Sequence, residues 1–188
     1  VMTFLKSTLA VLSVFGMFSI AGPANAQQAA NAPTGAGGWQ TMSIDGATVR
    51  FEMPKPIKMN QDPQNGMVVY AHNNPARKTS MKVGIVKRDF QKDQSQGLSD
   101  DKVLDNFALR VLAGNKLSFK KLGFSTNYQF GGNLKLATGV GKQYNTQVGK
   151  AQVLNRFYIN KQGLYYVEAT TQNTSDPEIN RFLKSFRP

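Results

Sequence analysis

The sequence predicts an α+β domain, a three-layer αβα sandwich around a largely antiparallel sheet, and three observations carry that expectation. First, Val153, Phe157 and Ile159 alternate with Leu154 and Tyr158 before the turn Asn160-Lys161-Gln162-Gly163, and Leu164-Tyr165-Tyr166-Val167 repeats the pattern after it. Both faces of this hairpin are therefore apolar and both need covering. Second, two segments carry apolar stripes at helical spacing: Val103, Leu104, Phe107, Ala108, Val111 and Leu112, and then Ile179, Phe182, Leu183 and Phe186. Third, the order of elements is a run of strands, a helix, four more strands in a meander, and a helix, which is the pattern of an antiparallel α+β domain and not of a βαβ parallel sheet.

Taken in order, residues 1–26 read as a secretory signal peptide: Lys6, an apolar run from Leu9 to Ile20, Gly22-Pro23, and the small-residue site Ala24-Asn25-Ala26. The run is short for a transmembrane span, so the expected product is periplasmic or secreted, cleaved after Ala26, without a stable transmembrane anchor. Residues 27–38 are Gln, Ala, Asn, Pro, Thr and Gly with no large apolar side chain and read as a flexible linker. Residues 39–188 are then a single domain. It has no cysteine, so its core alone must hold it.

Met42-Ser43-Ile44 and Thr48 to Met53 flank Asp45-Gly46, a hairpin signal in which Val49, Phe51 and Met53 alternate with polar partners. Pro54-Lys55-Pro56 stops the strand and Lys55 to Gly66 reads as a loop. Met67 to Ala71 and Met81, Val83 and Ile85 mark two further strands around the turn residues His72-Asn73-Asn74-Pro75. Asp89 to Leu98 is polar and reads as a mobile connection. Ser99-Asp100-Asp101 then starts a helix that Gly114 should end. Phe124, Thr126, Tyr128 and Phe130 alternate, Gly131-Gly132-Asn133 reads as a turn, and Leu134, Leu136, Thr138 and Val140 alternate again; Asn145 to Lys150 is the next turn. A type I bend closed by Gly163 at positive φ should join the last two strands. Ser175-Asp176-Pro177-Glu178 opens the terminal helix with a capping box and a Pro in its first turn.

The early strand ending in Pro, Phe51-Glu52-Met53-Pro54, the mid-chain amphipathic helix, the hairpin from Arg156-Phe157-Tyr158 to Leu164-Tyr165-Tyr166-Val167, and the closing Arg181-Phe182-Leu183-Lys184-Ser185-Phe186-Arg187 together resemble the PsbP-like fold family. The resemblance covers most of the chain after the leader. It implies an αβα sandwich around an antiparallel sheet and a binding or assembly role rather than an enzyme. It carries over no functional residues.

Composition limits the chemistry. His72 is the single histidine and there is no cysteine, so the common zinc and copper ligand sets cannot be built. His72 reads as strand-end turn chemistry, and no nucleophile elbow accompanies it. Gly139-Val140-Gly141-Lys142 resembles a phosphate loop, but Leu136 and Gln143 stand where such a loop needs Gly and Ser or Thr. Asp93, Asp100, Asp101 and Asp105 are the densest carboxylates; their spacing is not a calcium loop and suits a helix N-terminus. No cofactor or metal is expected.

The charge balance points to an anionic partner. The chain has a formal charge of +12; with the leader and its Lys6 removed, 22 basic face 11 acidic residues. Either this excess is a solvated surface or it attracts an envelope protein or an anionic surface; nucleic acid is a poor partner for an exported chain. Arg181, Lys184 and Arg187 on the polar side of the last helix either complement its dipole or form an anion-binding stripe. Lys116, Lys120 and Lys121, beside Phe119, could add a basic patch. A small-molecule or lipid carrier is the alternative, with an apolar pocket between sheet and helix lined by Phe107, Tyr128, Phe130 and Tyr166. Glu168, on the face of Tyr166, needs a partner or a cleft; Arg156 across the hairpin is the candidate partner.

Overall fold

The structure, a computed structural model, describes residues 34–35, 38–44, 49–62, 66–136 and 139–188; the leader, most of the linker and the Asp45-Gly46 turn lie outside them. A seven-stranded sheet has the order β4-β5-β6-β10-β9-β8-β7, with β4 (Lys58–Asp62), β5 (Met67–Asn74), β6 (Thr79–Lys87), β7 (Gln129–Leu134), β8 (Val140–Val148), β9 (Ala151–Ile159) and β10 (Gly163–Thr171). Every pairing in it is antiparallel. A smaller sheet joins β1 (Thr34–Gly35), β2 (Trp39–Ile44) and β3 (Val49–Pro54). The helices are α1 (Phe90–Ser95), α2 (Asp100–Lys121) and α3 (Pro177–Ser185).

The three layers follow from strand alternation. On one face of the large sheet, Phe157, Ile159, Leu164 and Tyr166 meet Val103, Leu104, Phe107, Ala108, Val111 and Leu112 of α2. On the other, Met81, Val83, Ile85, Tyr158, Tyr165, Val167 and Ala169 meet Ile179, Phe182 and Leu183 of α3 together with Trp39, Val49, Phe51 and Met53 of the β2–β3 hairpin. The second covering layer is thus a helix plus a hairpin. Strand β10 lies at the centre, with all nine of its residues buried.

Several sequence expectations need correction. The stretch 55–66 is not only loop: Lys58–Asp62 pairs with β5 as an edge strand, which its polar residues hide because an edge strand need not carry an apolar face. Thr34–Gly35, inside the stretch read as linker, pairs with Trp39 and Gln40. His72 and Asn73 belong to β5, opposite Met81 and Ser80; His72 is buried and its Nδ1 lies 3.1 Å from the Pro56 carbonyl oxygen. Within the polar connection before α2, Asp89 caps α1 by accepting from Lys92 N.

Helix α2 passes through Gly114, which is buried. A glycine in a helix interior costs about 1 kcal/mol relative to alanine, less than releasing the next turn would, because Asn115 is fixed in the buried layer beneath it. The helix runs to Lys121 and is closed by Gly123, φ +82°, with Gly123 N donating to Lys120 O and Phe124 N to Phe119 O; this is a Schellman closure. Residues 124–128 are not strand, and Gly131-Gly132 is a bulge within edge strand β7, where the register against β8 shifts between Phe130 and Gly132. The β7–β8 connection follows Leu134, so the alternation through Leu136 to Val140 is not one strand. Gly139, first residue of the loop-like Gly139-Val140-Gly141-Lys142, has φ +90° and would put a Cβ 2.1 Å from the Ile159 carbonyl oxygen; it is required by that close approach, not by a phosphate. Gly163 lacks the positive φ expected of it, because Asn160 closes the turn instead: its Oδ1 accepts from Gln162 N and Gly163 N.

The cap of α3 is Asp176 and not Ser175. Its carboxylate accepts from Glu178 N at 2.9 Å and from Arg77 at 2.8 and 3.0 Å. Burial raises the Asp176 pKa, but the hydrogen bonds from Arg77 and the helix amide outweigh that and hold it below its ordinary 3.8. A carboxyl whose folded value is depressed stabilises the fold fully above its unfolded value and loses that contribution as pH falls through the folded one. Asp176→Ala should therefore lower stability by about 0.5–2 kcal/mol at neutral pH, and the gap to wild type should narrow as pH drops below 3.8; urea titrations at several pH values measure both.

Candidate anion-binding surface

The described acidic side chains are spent internally. Arg88, with a side chain 2% exposed, joins Asp93 and Asp100, each at 2.7 Å, and donates to the Asn160 carbonyl, tying β6, α1, α2 and the β9–β10 turn together. Lys142 of β8 joins Asp101 at 2.9 Å and Asp105 at 2.6 Å of α2. The acidic run at the start of α2 thus does more than complement its dipole: it clamps the helix to the sheet. No cluster of three metal-ligating side chains exists among the described residues.

Glu168 is paired, though not by Arg156. In the β9–β10 register it sits opposite Asn155, while Arg156 opposes Val167 and so projects from the other face. The partner is Lys82, directly opposite on β6, with Nζ at 2.5 Å. Asn115 Nδ2 adds a bond at 3.1 Å and the Tyr166 hydroxyl donates to the same carboxylate. Burial, then the charge of Glu168, pushes the phenols of Tyr128 and Tyr166 well above their ordinary range, so Tyr166 remains a neutral donor.

The five residues considered for an apolar pocket are largely engaged by neighbouring side chains. Phe107 packs edge-on against Phe157, whose ring stacks on Tyr166 at 5.2 Å, so these rings fill one another's space. Tyr128 is partly buried, Glu168 is taken up by its ion pair, and Phe130 is 58% exposed, edge-on to Tyr144.

The cations of the terminal helix separate. Arg181 joins Glu52 at 2.7 Å and lies 4.3 Å above the Trp39 ring, so it braces α3 on the β2–β3 hairpin and does not share a free stripe. Arg187 donates to the Lys184 and Phe186 carbonyls, capping the end of α3, while its backbone bridges Arg50 of β3. Lys184 and Arg187 nonetheless line a cleft of about 410 Å³ with Lys135 and Arg156. Its apolar walls are Leu134, Leu136, Tyr158, Leu183 and Phe186, and among the described residues no carboxylate lines it. Arg156 is fixed there by Gln143 Oε1 at 2.9 Å and the Leu183 carbonyl at 3.2 Å. Lys135 and Arg156 join the site because β7 and β9 reach the end of α3, a proximity no local spacing reveals. A signal was present at longer range: from Asn106 to Val167 there are nine Lys and Arg and no Asp or Glu.

Lys116 and Lys120 line a second cleft, of about 440 Å³, with Gly123, Phe124, Ser125 and Thr126 at the end of α2. Lys121 is exposed beside it, and Phe119, partly buried, is not among its walls.

No family model matches the chain, and no curated protein matches it. Among solved structures, the solution structure of cyanobacterial PsbP (CyanoP) from Synechocystis sp. PCC 6803 is similar over 84% of this chain and 96% of that one, with a TM-score of 0.52 and 15% sequence identity. The fold of this chain is PsbP-like.

Proposed function

We propose that this protein is an exported, non-enzymatic binding or assembly factor that engages an acidic segment of an envelope protein at the cleft beside the end of α3. The observation that supports this reading is the cleft's composition: Lys135, Arg156, Lys184 and Arg187 over Leu134, Leu136, Tyr158 and Phe186, with no carboxylate among the described lining residues. Such a surface suits a peptide that presents carboxylates beside apolar side chains, since charge steers the encounter and the apolar floor supplies burial. Exposed cations spread over a surface attract weakly at physiological salt, where interactions fade beyond roughly 8 Å, whereas cations converging on one cleft act together.

The test leaves the two anchored arginines in place. Lys135→Glu with Lys184→Glu should weaken binding of a fluorescent acidic, aromatic peptide by about tenfold at low salt, and should abolish salt-sensitive crosslinking to envelope proteins. Both lysines are exposed, so unfolding stability should stay within about 0.5 kcal/mol. Unchanged peptide binding at low salt would show the cleft to be a solvated surface.

A further inference from the structure

The outer face of α2 carries a surface of a different kind. Six large hydrophobic residues are exposed among the described residues, and five of them, Leu109, Leu117, Leu122, Phe124 and Phe130, fall between positions 109 and 130. Isolated exposed leucines are ordinary, but a helix normally turns them inward. Here the buried stripe of α2 is already complete, so Leu109 and Leu117, about 80° apart around the axis, stand exposed on the side away from the sheet. At 100° per residue, Lys116 and Lys120 lie within about 20° of Leu109, with Ala113 and Leu117 on the same side. Arg110 and Lys121 flank them, and all four cations are exposed.

At the end of this face the chain makes a built recess. Lys116, Lys120, Phe124, Ser125 and Thr126 line the cleft of about 440 Å³. Thr126 is 6% exposed, and its Oγ1 is buried without a hydrogen-bond partner, an arrangement that leaves a polar group to be satisfied from elsewhere. Two ammonium groups, the exposed hydroxyl of Ser125 and an exposed aromatic ring suit a phosphodiester joined to an apolar body.

We infer that the outer face of α2 and the recess at its C-terminal end dock this protein on an anionic phospholipid surface. The lysines and the hydroxyl of Ser125 meet headgroup phosphates, while Leu109, Leu117 and Phe124 enter the boundary between headgroups and acyl chains. The lipid surface is favoured over an acidic polypeptide because the apolar groups are spread over about two turns of α2 and the residues just after it, intermixed with cations, as in interfacial helices. A peptide would need a groove there, and the recess is confined to one end.

The test is co-sedimentation of the chain lacking residues 1–26 with phosphatidylcholine vesicles, with and without phosphatidylglycerol. Binding should require phosphatidylglycerol and weaken with salt. A basic residue near such a surface contributes about a fivefold factor, so Lys116→Gln with Lys120→Gln should weaken binding roughly 30-fold. Leu117→Ser with Phe124→Ser should reduce the binding that persists at high salt, whereas Lys135→Glu with Lys184→Glu, in the other cleft, should change vesicle binding severalfold less than the α2 pair. Unfolding curves of all variants should overlay, since the substituted side chains are exposed. Equal binding to both vesicle types, equal loss with the α3-cleft variant, or loss of polyglutamate binding in the α2 variants without any loss of vesicle binding would each overturn the assignment. The acidic-peptide assay reads the α3 cleft separately, so the two proposals can fail independently.

Discussion

Replacing Lys82 by Met should lower stability by about 3–5 kcal/mol, the largest single effect expected of a polar substitution in this protein. Glu168 is 2% exposed at the centre of the sheet, and Lys82, at 2.5 Å, is its only counter-charge among the described residues. Asn115 and Tyr166 can still donate to the carboxylate after the substitution, but neutral donors do not offset the desolvation of an ionised group. The neighbours offer little relief, because Tyr166 also contacts Asn155 Oδ1 at 3.0 Å and the stacked ring of Phe157 holds its position. Lys82→Met combined with Glu168→Gln removes both charges and keeps an acceptor for Tyr166; it should recover most of the loss, since a buried ion pair is worth little against a neutral pair of similar shape. Thermal unfolding separates these outcomes: the single variant should melt on the order of 10 °C below wild type and the double variant far closer to it. A single variant as stable as wild type would mean that water reaches Glu168.

The same residue shows how much of this fold is legible in sequence. Period-two alternation placed Tyr166 and Glu168 on one face and exposed the need for a partner, and both survive in the structure. The partner's identity depended on which strand lies beside β10, and β6 is 76 residues away along the chain at the pairing Gly163–Lys87. Local pattern therefore supplied the hairpin neighbour, Arg156, which parity places on the opposite face. The terminal helix was readable because Ile179, Phe182, Leu183 and Phe186 all report one environment, whereas α2 was cut short at Gly114 because the contacts that carry it past the glycine, from Asn115 to Tyr166 and Glu168, are tertiary. Edge strands were the least readable: β4 is polar apart from the exposed Met59, and β7 carries its glycines as a bulge. For the same reason the basic cleft could be only half seen. Lys184 and Arg187 belong to a helix whose polar side is evident, but Lys135 and Arg156 reach them only through the strand order.

Phe107→Ala and Phe182→Ala should each cost about 3–5 kcal/mol, and the two losses should add. Phe182 is fully buried beneath α3, among β3, β6 and β10 side chains, while Phe107 is buried beneath α2 against Phe157. The sheet lies between them, and they belong to separate clusters, so neither cavity relaxes into the other. A domain of this size has about 5–15 kcal/mol of total stability. Each single variant should therefore remain folded with its urea midpoint shifted strongly downward, while the double variant should be largely unfolded without denaturant. Phe107→Leu keeps most of the buried volume and should cost less than half as much as alanine, which distinguishes a packing loss from a general intolerance of change at α2. If Phe107→Ala costs under about 1 kcal/mol while Phe182→Ala costs the full amount, α2 contributes little to the core and only α3 and the β2–β3 hairpin hold the sheet. If the double loss falls well short of the sum, the two faces share a cavity and the three-layer description fails.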